Sequence, residues 1–403
     1  MSIAALSGVR VVELGEGVSA AFCARLLSDY GASVLKIERP GSGDITRRWG
    51  PFPADEPHPE TSGTFFALNA GKSAITLDVT RARGRELLFD LLAETDLLVE
   101  NNPPASMREW GLDYETLSAR FPRLIMVSIT PFGQTGPYAD WKGYDLNAFH
   151  LTAAGNRYCG APDREPLEHG TFSADYFGGY VASTWALASL FAQDELGGEH
   201  IDVSCAEAIT ATFTGCQNIA DYVQNGAINK RTGVGMALGA PATILPCRNG
   251  HVWMMALETA QWKGLVRAMG NPEWAQIDLF DNMFSRAQNA DLIYTMMTEW
   301  TMGLDKQEIM DLCQANGCPS TAVYTIEDAA SLGHLQQRGY FRELEHAVLG
   351  PTLTLGAPVN LPDAPGGPTR AAPLLGEHNT QTYLDRLGLD AASVEALRAE
   401  GTL

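Results

Sequence analysis

The sequence lacks any apolar run long enough to cross a bilayer, any Cys-x-x-Cys pair and any internal repeat. These absences argue against a membrane span, a zinc ribbon and a solenoid. Its seven cysteines, at 23, 159, 205, 216, 247, 313 and 318, are odd in number and carry no framework spacing, so a disulfide scaffold is not expected. Positive charge is also scarce. Against 48 Asp and Glu stand 28 Lys and Arg, a formal charge of −20, so neither nucleic acid nor an anionic membrane is expected as a bulk partner. No hydrophobic leader precedes the first predicted strand, and a cytoplasmic, reducing setting is expected.

What is present is ordinary for a globular enzyme: 403 residues, 45% hydrophobic and 19% charged. That length allows two domains with their own cores, or one large domain carrying an insertion. The basic residues are uneven, ten of the 28 falling in the first 85 positions, which gives a polyanionic small ligand a place to bind.

The first 130 residues alternate between strand and helix. Gly8 to Leu14 is a β-rich run, Gly15-Glu16-Gly17 a turn, Val18 to Tyr30 an apolar-faced helix and Ser33 to Glu38 a second strand. Strands at Ala74 to Asp78, Asp96 to Glu100 and Leu124 to Ile129 continue the rhythm, with helices at Arg81 to Glu94 and Tyr114 to Phe121 between them. This pattern predicts a parallel, doubly wound, Rossmann-like α/β sheet, with ligands at the carboxyl ends of its strands. Gly15 to Ala20 also fits G-x-G-x-x-A, with Glu38 placed for a dinucleotide ribose. Glu16 would repel a pyrophosphate, and Arg39 followed by Pro-Gly-Ser-Gly suits a phosphate at that edge. The glycines alternatively provide a close strand-to-helix turn.

Downstream, Ile201 to Cys205 reads as a strand and Ala206 to Val223 as a long helix. Arg248-Asn249-Gly250 joins Ala242–Cys247 to His251–Leu257 as a hairpin with an Asn-Gly turn. Helices follow near 260–269, 289–301 and 305–314, and the chain ends in helices at 380–387 and 391–400. The expected division is a large domain over 1–223, a linker over 224–240 and a small α/β domain over 241–328. A return linker over 329–358 then leads to the rest of the large domain at 359–403.

The chemistry is placed at His169 to Tyr180, where a loop turns into an apolar helix, predicted to be buried, over Tyr176 to Phe191. Asp175 lies at or near the start of that helix. An aspartate there commonly caps the helix by accepting a backbone N–H. The same helix start also offers donors to charge developing on an acyl group, and Gly178-Gly179 would let a bulky ligand approach.

Several separated segments, in order, resemble the class III CoA-transferases, the family of formyl-CoA transferase and carnitine CoA-transferase that shares its fold with α-methylacyl-CoA racemase. They are Leu6 to Leu14, Gly31 to Arg39, Gly41 to Asp44, Val99 to Asn101, the Asp175 segment and Ala372 to His378. The resemblance implies that Asp175 is the nucleophile of CoA transfer, by way of an aspartyl mixed anhydride and an aspartyl-CoA thioester. It implies CoA contacts at Ser19, Arg39, Leu77, Thr80, Asn101, Asn102, Arg108 and Lys142, each of which also has an ordinary turn or surface reading. Coenzyme A enters as substrate, and no metal or redox cofactor is implied. Ser19-Ala-Ala replaces the family's usual Ala-Gly-Pro, and the arginine after the Asn-rich loop, Arg108, is shifted by one. Tyr144, in Gly143-Tyr144-Asp145, stands where racemases carry a proton-shuttling His, which favours a transferase; its bland alternative is a core tyrosine. The alternatives are an acyl-CoA racemase or epimerase and a non-catalytic CoA-binding subunit of a hetero-oligomer. The expected small-molecule partners are an acyl-CoA and a carboxylic acid. The expected assembly is an interlocked homodimer.

Overall fold

The computed structural model describes residues 4–235 and 239–403, except for the side chains of 213–217. Residues 236–238 of the expected linker and the side chain of Cys216 therefore lie outside the described residues. The other six cysteines are buried, and none of them is in a disulfide.

The chain divides into two compact units, one of residues 1–155, 168–228 and 334–403, the other of 156–167 and 229–333. The larger is built on six strands, β1 (Arg10–Leu14), β2 (Ser33–Glu38), β3 (Ser73–Thr76), β4 (Leu97–Glu100), β5 (Ile125–Thr130) and β6 (His200–Ser204). Their order is β3-β2-β1-β4-β5-β6, and every pairing is parallel. Helices Ser19–Asp29 and Ala82–Leu92 connect successive strands, as the alternating sequence predicts. Strand order reverses between β1 and β4, so a crevice opens beyond their carboxyl ends, where the loops from Gly15 and Asn101 emerge. One core cluster carries Val12, Leu35, Ile75 and Leu98 from the strands with Leu88 and Leu91 from the helix behind them.

Beneath this crevice the core holds charge. Glu13 on β1 is fully buried between Lys36 (2.5 Å) and Lys72 (2.7 Å), and Lys36 also reaches Asp44 at 2.7 Å. Buried ions are tolerated only when paired in this way.

The helix Ser173–Leu196 forms where the sequence predicts one, but in the single chain it is not buried all round. Its small residues Gly178, Gly179, Ala182 and Ala186 face inward. A Cβ on Gly179 would lie 2.6 Å from the backbone oxygen of Ser19, so glycine allows the helices Ser173–Leu196 and Ser19–Asp29 to touch. The large residues point the other way: Tyr180, Trp185 and Phe191 are 56%, 60% and 94% exposed. The predicted single helix after β6 begins at Cys205–Ile209, becomes π-helical over Thr210–Ile219 and ends at Ala220–Asn225.

The smaller unit has a three-stranded antiparallel sheet, β7 (Ala242–Cys247), β8 (Gly250–Met255) and β9 (Ser320–Val323), with β8 in the middle. Its hairpin turn is centred on Arg248-Asn249, one residue before the predicted Asn-Gly pair, because Cys247 pairs with Gly250. Arg248 bonds Asp305 and Glu308 at 2.8 and 3.0 Å, and Asn249 Oδ1 accepts the Lys306 N–H, which fixes that register. Residues 156–167 group with this unit rather than with the large domain assigned from sequence. The physical reason is Arg231, whose guanidinium donates to the carbonyls of Asn156, Ala161 and Arg164.

The return segment is likewise more than a linker. Residues 334–358 belong to the larger unit and contain the hairpin β10 (Phe341–His346) and β11 (Gly350–Leu355). Buried Arg25 donates to the Leu355 carbonyl at 2.8 Å. The C-terminal segment then covers the exposed edge of β3: His378 accepts the Ala74 N–H, and Asn379 both accepts the Thr76 N–H and donates to its hydroxyl. Among the described residues no helix is long and apolar enough to cross a membrane.

Candidate active site

Asp175 is the third residue of its helix, after Ser173 and Ala174; the cap position is held by Phe172, which stacks on Trp49 with ring centres 4.9 Å apart. The capping carboxylate comes from elsewhere. Asp145, first residue of the helix Asp145–Leu151, accepts the Asp175 N–H at 3.0 Å and that of Ala174 as well. The capping reading of Asp175 is thus wrong, and two donors expected to serve an acyl group are already engaged.

Among the described residues the Asp175 side chain is left with one weak partner, the Cys205 thiol, whose sulfur is 3.9 Å from Oδ1. Burial first, then the Asp145 charge, pushes its carboxyl up to about 7, against a smaller opposing pull from the Cys205 hydrogen bond. Burial, followed by the Asp175 and Asp145 charges, raises the Cys205 thiol well above its ordinary range, so it remains a protonated donor. Burial also raises Asp145, against the two N–H groups it accepts; Glu168 adds to the rise and His169 opposes it. Gly178 makes room here, since a Cβ on it would sit 2.5 Å from the Cys205 sulfur. Tyr144, next to Asp145, is 80% exposed, which removes the core-tyrosine alternative. Its backbone N–H is held by Asn147 Oδ1 at 3.0 Å.

At the β1–β4 crevice the two asparagines act as staples. Asn101 accepts the Glu16 N–H and donates to the Glu16 carbonyl and to Ser19 Oγ, while Asn102 donates to the Leu14 carbonyl. Gly15 is glycine because Asn101 Oδ1 lies 2.4 Å from where its Cβ would be. The G-x-G-x-x-A spacing therefore reflects a close turn against Asn101. Glu16 forms an ion pair with Arg39 at 2.7 Å.

The remaining predicted CoA residues are less uniform. Thr80 is exposed and turns back onto Asp78 Oδ1; Arg108 is exposed and paired with Asp140 at 2.6 Å; Lys142 is exposed beside Gly143 and Tyr144. Leu77 is 2% exposed, its side chain belongs to the core and its N–H donates to the Glu38 carbonyl at 2.8 Å.

Sequence reasoning missed Asp145, Cys205 and Glu100. Glu100 is buried at the end of β4, where its Oε2 accepts the Asn102 N–H at 2.7 Å. Only Asp145 carried a local signal, as the acidic neighbour of Tyr144 in the first turn of a helix. A cavity of about 570 Å³ includes none of the predicted site residues; it follows the flank of the long helix along Val181, Trp185 and Leu196, beside His200 and Glu207. Among the described residues there is no cluster of three or more His, Cys, Asp or Glu that could hold a metal.

The chain is 31% identical over 401 residues to succinyl-CoA--D-citramalate CoA-transferase of Chloroflexus aurantiacus, covering 98% of this chain and 97% of that protein. It is 30% identical over 398 residues to succinyl-CoA--L-malate CoA-transferase alpha subunit of Chloroflexus aurantiacus, covering 98% and 91%. The crystal structure of a CAIB/BAIF family protein from Brucella suis superposes with a TM-score of 0.84 at 29% identity, covering 95% of this chain and 99% of that one. Residues 6–379 match the family described as CoA-transferase family III, and the chain belongs to that family.

Proposed function

We propose that the protein moves CoA from an acyl-CoA donor to a small carboxylic acid, with Asp175 as the nucleophile. The observation that carries this reading is a half-buried carboxylate with no cationic partner among the described residues, its carboxyl pushed up to about 7, in a chain of this family. Such a group is only partly ionised near pH 7 and is poorly solvated once ionised, which suits a nucleophile.

An Asp175 oxygen attacks the thioester carbonyl and the C–S bond breaks, giving an aspartyl mixed anhydride and CoA thiolate. The thiolate attacks the aspartyl carbonyl, forming aspartyl-CoA and releasing the donor acid with one oxygen from Asp175. The acceptor carboxylate then attacks aspartyl-CoA, releasing the thiolate again. Attack of that thiolate on the acceptor acyl group yields the new acyl-CoA and restores Asp175 with one oxygen from the acceptor. Every bond broken is replaced, and no oxidant or reductant takes part.

In this reading Arg39 exchanges Glu16 for a CoA phosphate, and Arg108 and Lys142 supply further positive charge. Ser19, Asn101 and Asn102 shape the crevice wall, Thr80 lies at the adenine end, and Leu77 supports that end from the core. Exposed Tyr144 faces the acyl group from the loop preceding Asp145. The partner in an interlocked homodimer covers Tyr180, Trp185 and Phe191, whose exposure on one chain supports such a partner. Succinyl-CoA, named for both Chloroflexus relatives, is the first donor to try.

The test is a panel of mono- and dicarboxylic acceptors with succinyl-CoA, run on the wild-type protein and Asp175→Ala. Transfer by the wild type alone is expected; transfer at the wild-type rate by the variant overturns the assignment. Deuterium entering the α-carbon of a chiral acyl-CoA without transfer would favour a racemase instead. Native mass measurement of the purified single chain, with activity, distinguishes a homodimer from a subunit that needs a different partner.

A further inference from the structure

Two side chains from separate elements converge on Asp175, and neither carries a role assigned from sequence. We infer that Asp145 and Cys205 are opposed positioning residues for the reaction: Asp145 holds the backbone N–H of Asp175, and the Cys205 thiol engages Oδ1 so that Oδ2 is the attacking oxygen. This rests on the reading of Asp175 as the nucleophile.

Three observations carry it. Asp145 bonds the main chain of Ala174 and Asp175, not the Asp175 side chain, so it fixes the helix turn without consuming a carboxylate oxygen. Cys205 is 1% exposed and opens the helix that follows β6; its sulfur bonds the Oδ1 of the Asp175 carboxylate. Gly178 has no Cβ, and one there would lie 2.5 Å from the sulfur, so the Asp175 helix has room for this thiol one turn below the carboxylate.

The two neighbours act on the Asp175 charge in opposite senses. A carboxylate beside it disfavours ionisation, and a donor to its oxygen favours it. The other groups facing this cluster are Tyr176, which feels the Asp175 charge, and Glu168 and His169, which act on Asp145. Transfer requires ionised Asp175, so the rate rises with pH through its titration.

The test is the pH profile of kcat/KM for transfer in Asp145→Asn, Cys205→Ala and Cys205→Ser. Asparagine keeps a carbonyl for the two N–H groups and removes the charge, so the acidic limb moves to lower pH. Alanine removes the thiol, so the limb moves to higher pH and kcat falls roughly fivefold, as for one hydrogen bond. Serine restores a donor and returns the limb to or below its wild-type position. Limbs that stay put in all three variants, or that move together, overturn the inference, because lost packing alone lowers the folded fraction without opposed shifts. The same samples are digested after quenching with substrate. An adduct on the Asp175 peptide with unmoved limbs refutes the positioning roles alone, whereas active wild-type enzyme with no adduct refutes the nucleophile itself.

Discussion

Glu13 is fully and Asp175 partly withdrawn from water, in different parts of the same unit, and the two carboxyls respond oppositely. At Glu13 burial pushes the carboxyl up, but Lys36 and then Lys72 outweigh it and hold the group below its ordinary range. At Asp175 burial acts with a second carboxylate and against only a thiol, and the group rises to about 7. Partners, more than depth, decide the outcome: a compensated carboxylate secures the fold, and an uncompensated one is available for chemistry.

The largest expected effect breaks the comparison at its reactive end. Asp175→Ala should lower transfer by roughly 10⁶-fold, the scale seen when a covalent nucleophile is removed, while the far-ultraviolet spectrum is retained. At the compensated end, Glu13→Gln should lower unfolding free energy by about 3–5 kcal/mol, because it leaves Lys36 and Lys72 buried without their shared anion. Chemical denaturation measures that loss.

A subtler contrast concerns pH. A raised folded-state pKa means that the folded protein holds its proton more tightly than the unfolded chain, so Asp175 costs stability as pH rises from about 4 to about 7. Asp175→Asn removes the cost, and its melting temperature should exceed that of the wild type by roughly a few degrees at pH 8 but not at pH 4. Glu13 works the other way: its pKa is depressed, so its contribution is present above the ordinary carboxyl range and fades as pH falls below it. Melting curves across pH should show wild type and Asp175→Asn diverging on the alkaline side. The smallest effect is at the crevice, where Arg39→Ala should raise KM for the acyl-CoA roughly tenfold and change kcat by less than about twofold, the pattern of lost ground-state binding.

The sheet was readable because strand, turn and helix recur with the period each structure requires, and the long helix because an apolar run begins there beside paired glycines, whereas the nucleophile role of Asp175 came from the resemblance to the CoA-transferases and not from any local pattern. The site's surroundings were not readable for a physical reason. Asp145 and Cys205 lie 30 residues on either side of Asp175 and meet it only once β5, β6 and the long helix are packed. Likewise no local pattern shows that Asn101 fills the space of a missing Gly15 Cβ, since that contact spans 85 residues or more. The exposed side of the long helix was misread for the opposite reason. An apolar sequence reports that a face avoids water, but not whether its own chain covers it.

The central claim is that Asp175 exchanges an oxygen with both acids during turnover, and isotope transfer tests it most directly. Acceptor acid carrying ¹⁸O in its carboxylate is turned over with unlabelled succinyl-CoA, and the Asp175 peptide is then weighed. The account predicts ¹⁸O in the Asp175 carboxyl and, on continued turnover, in the released donor acid. Complete transfer of CoA with the Asp175 peptide unlabelled would contradict it.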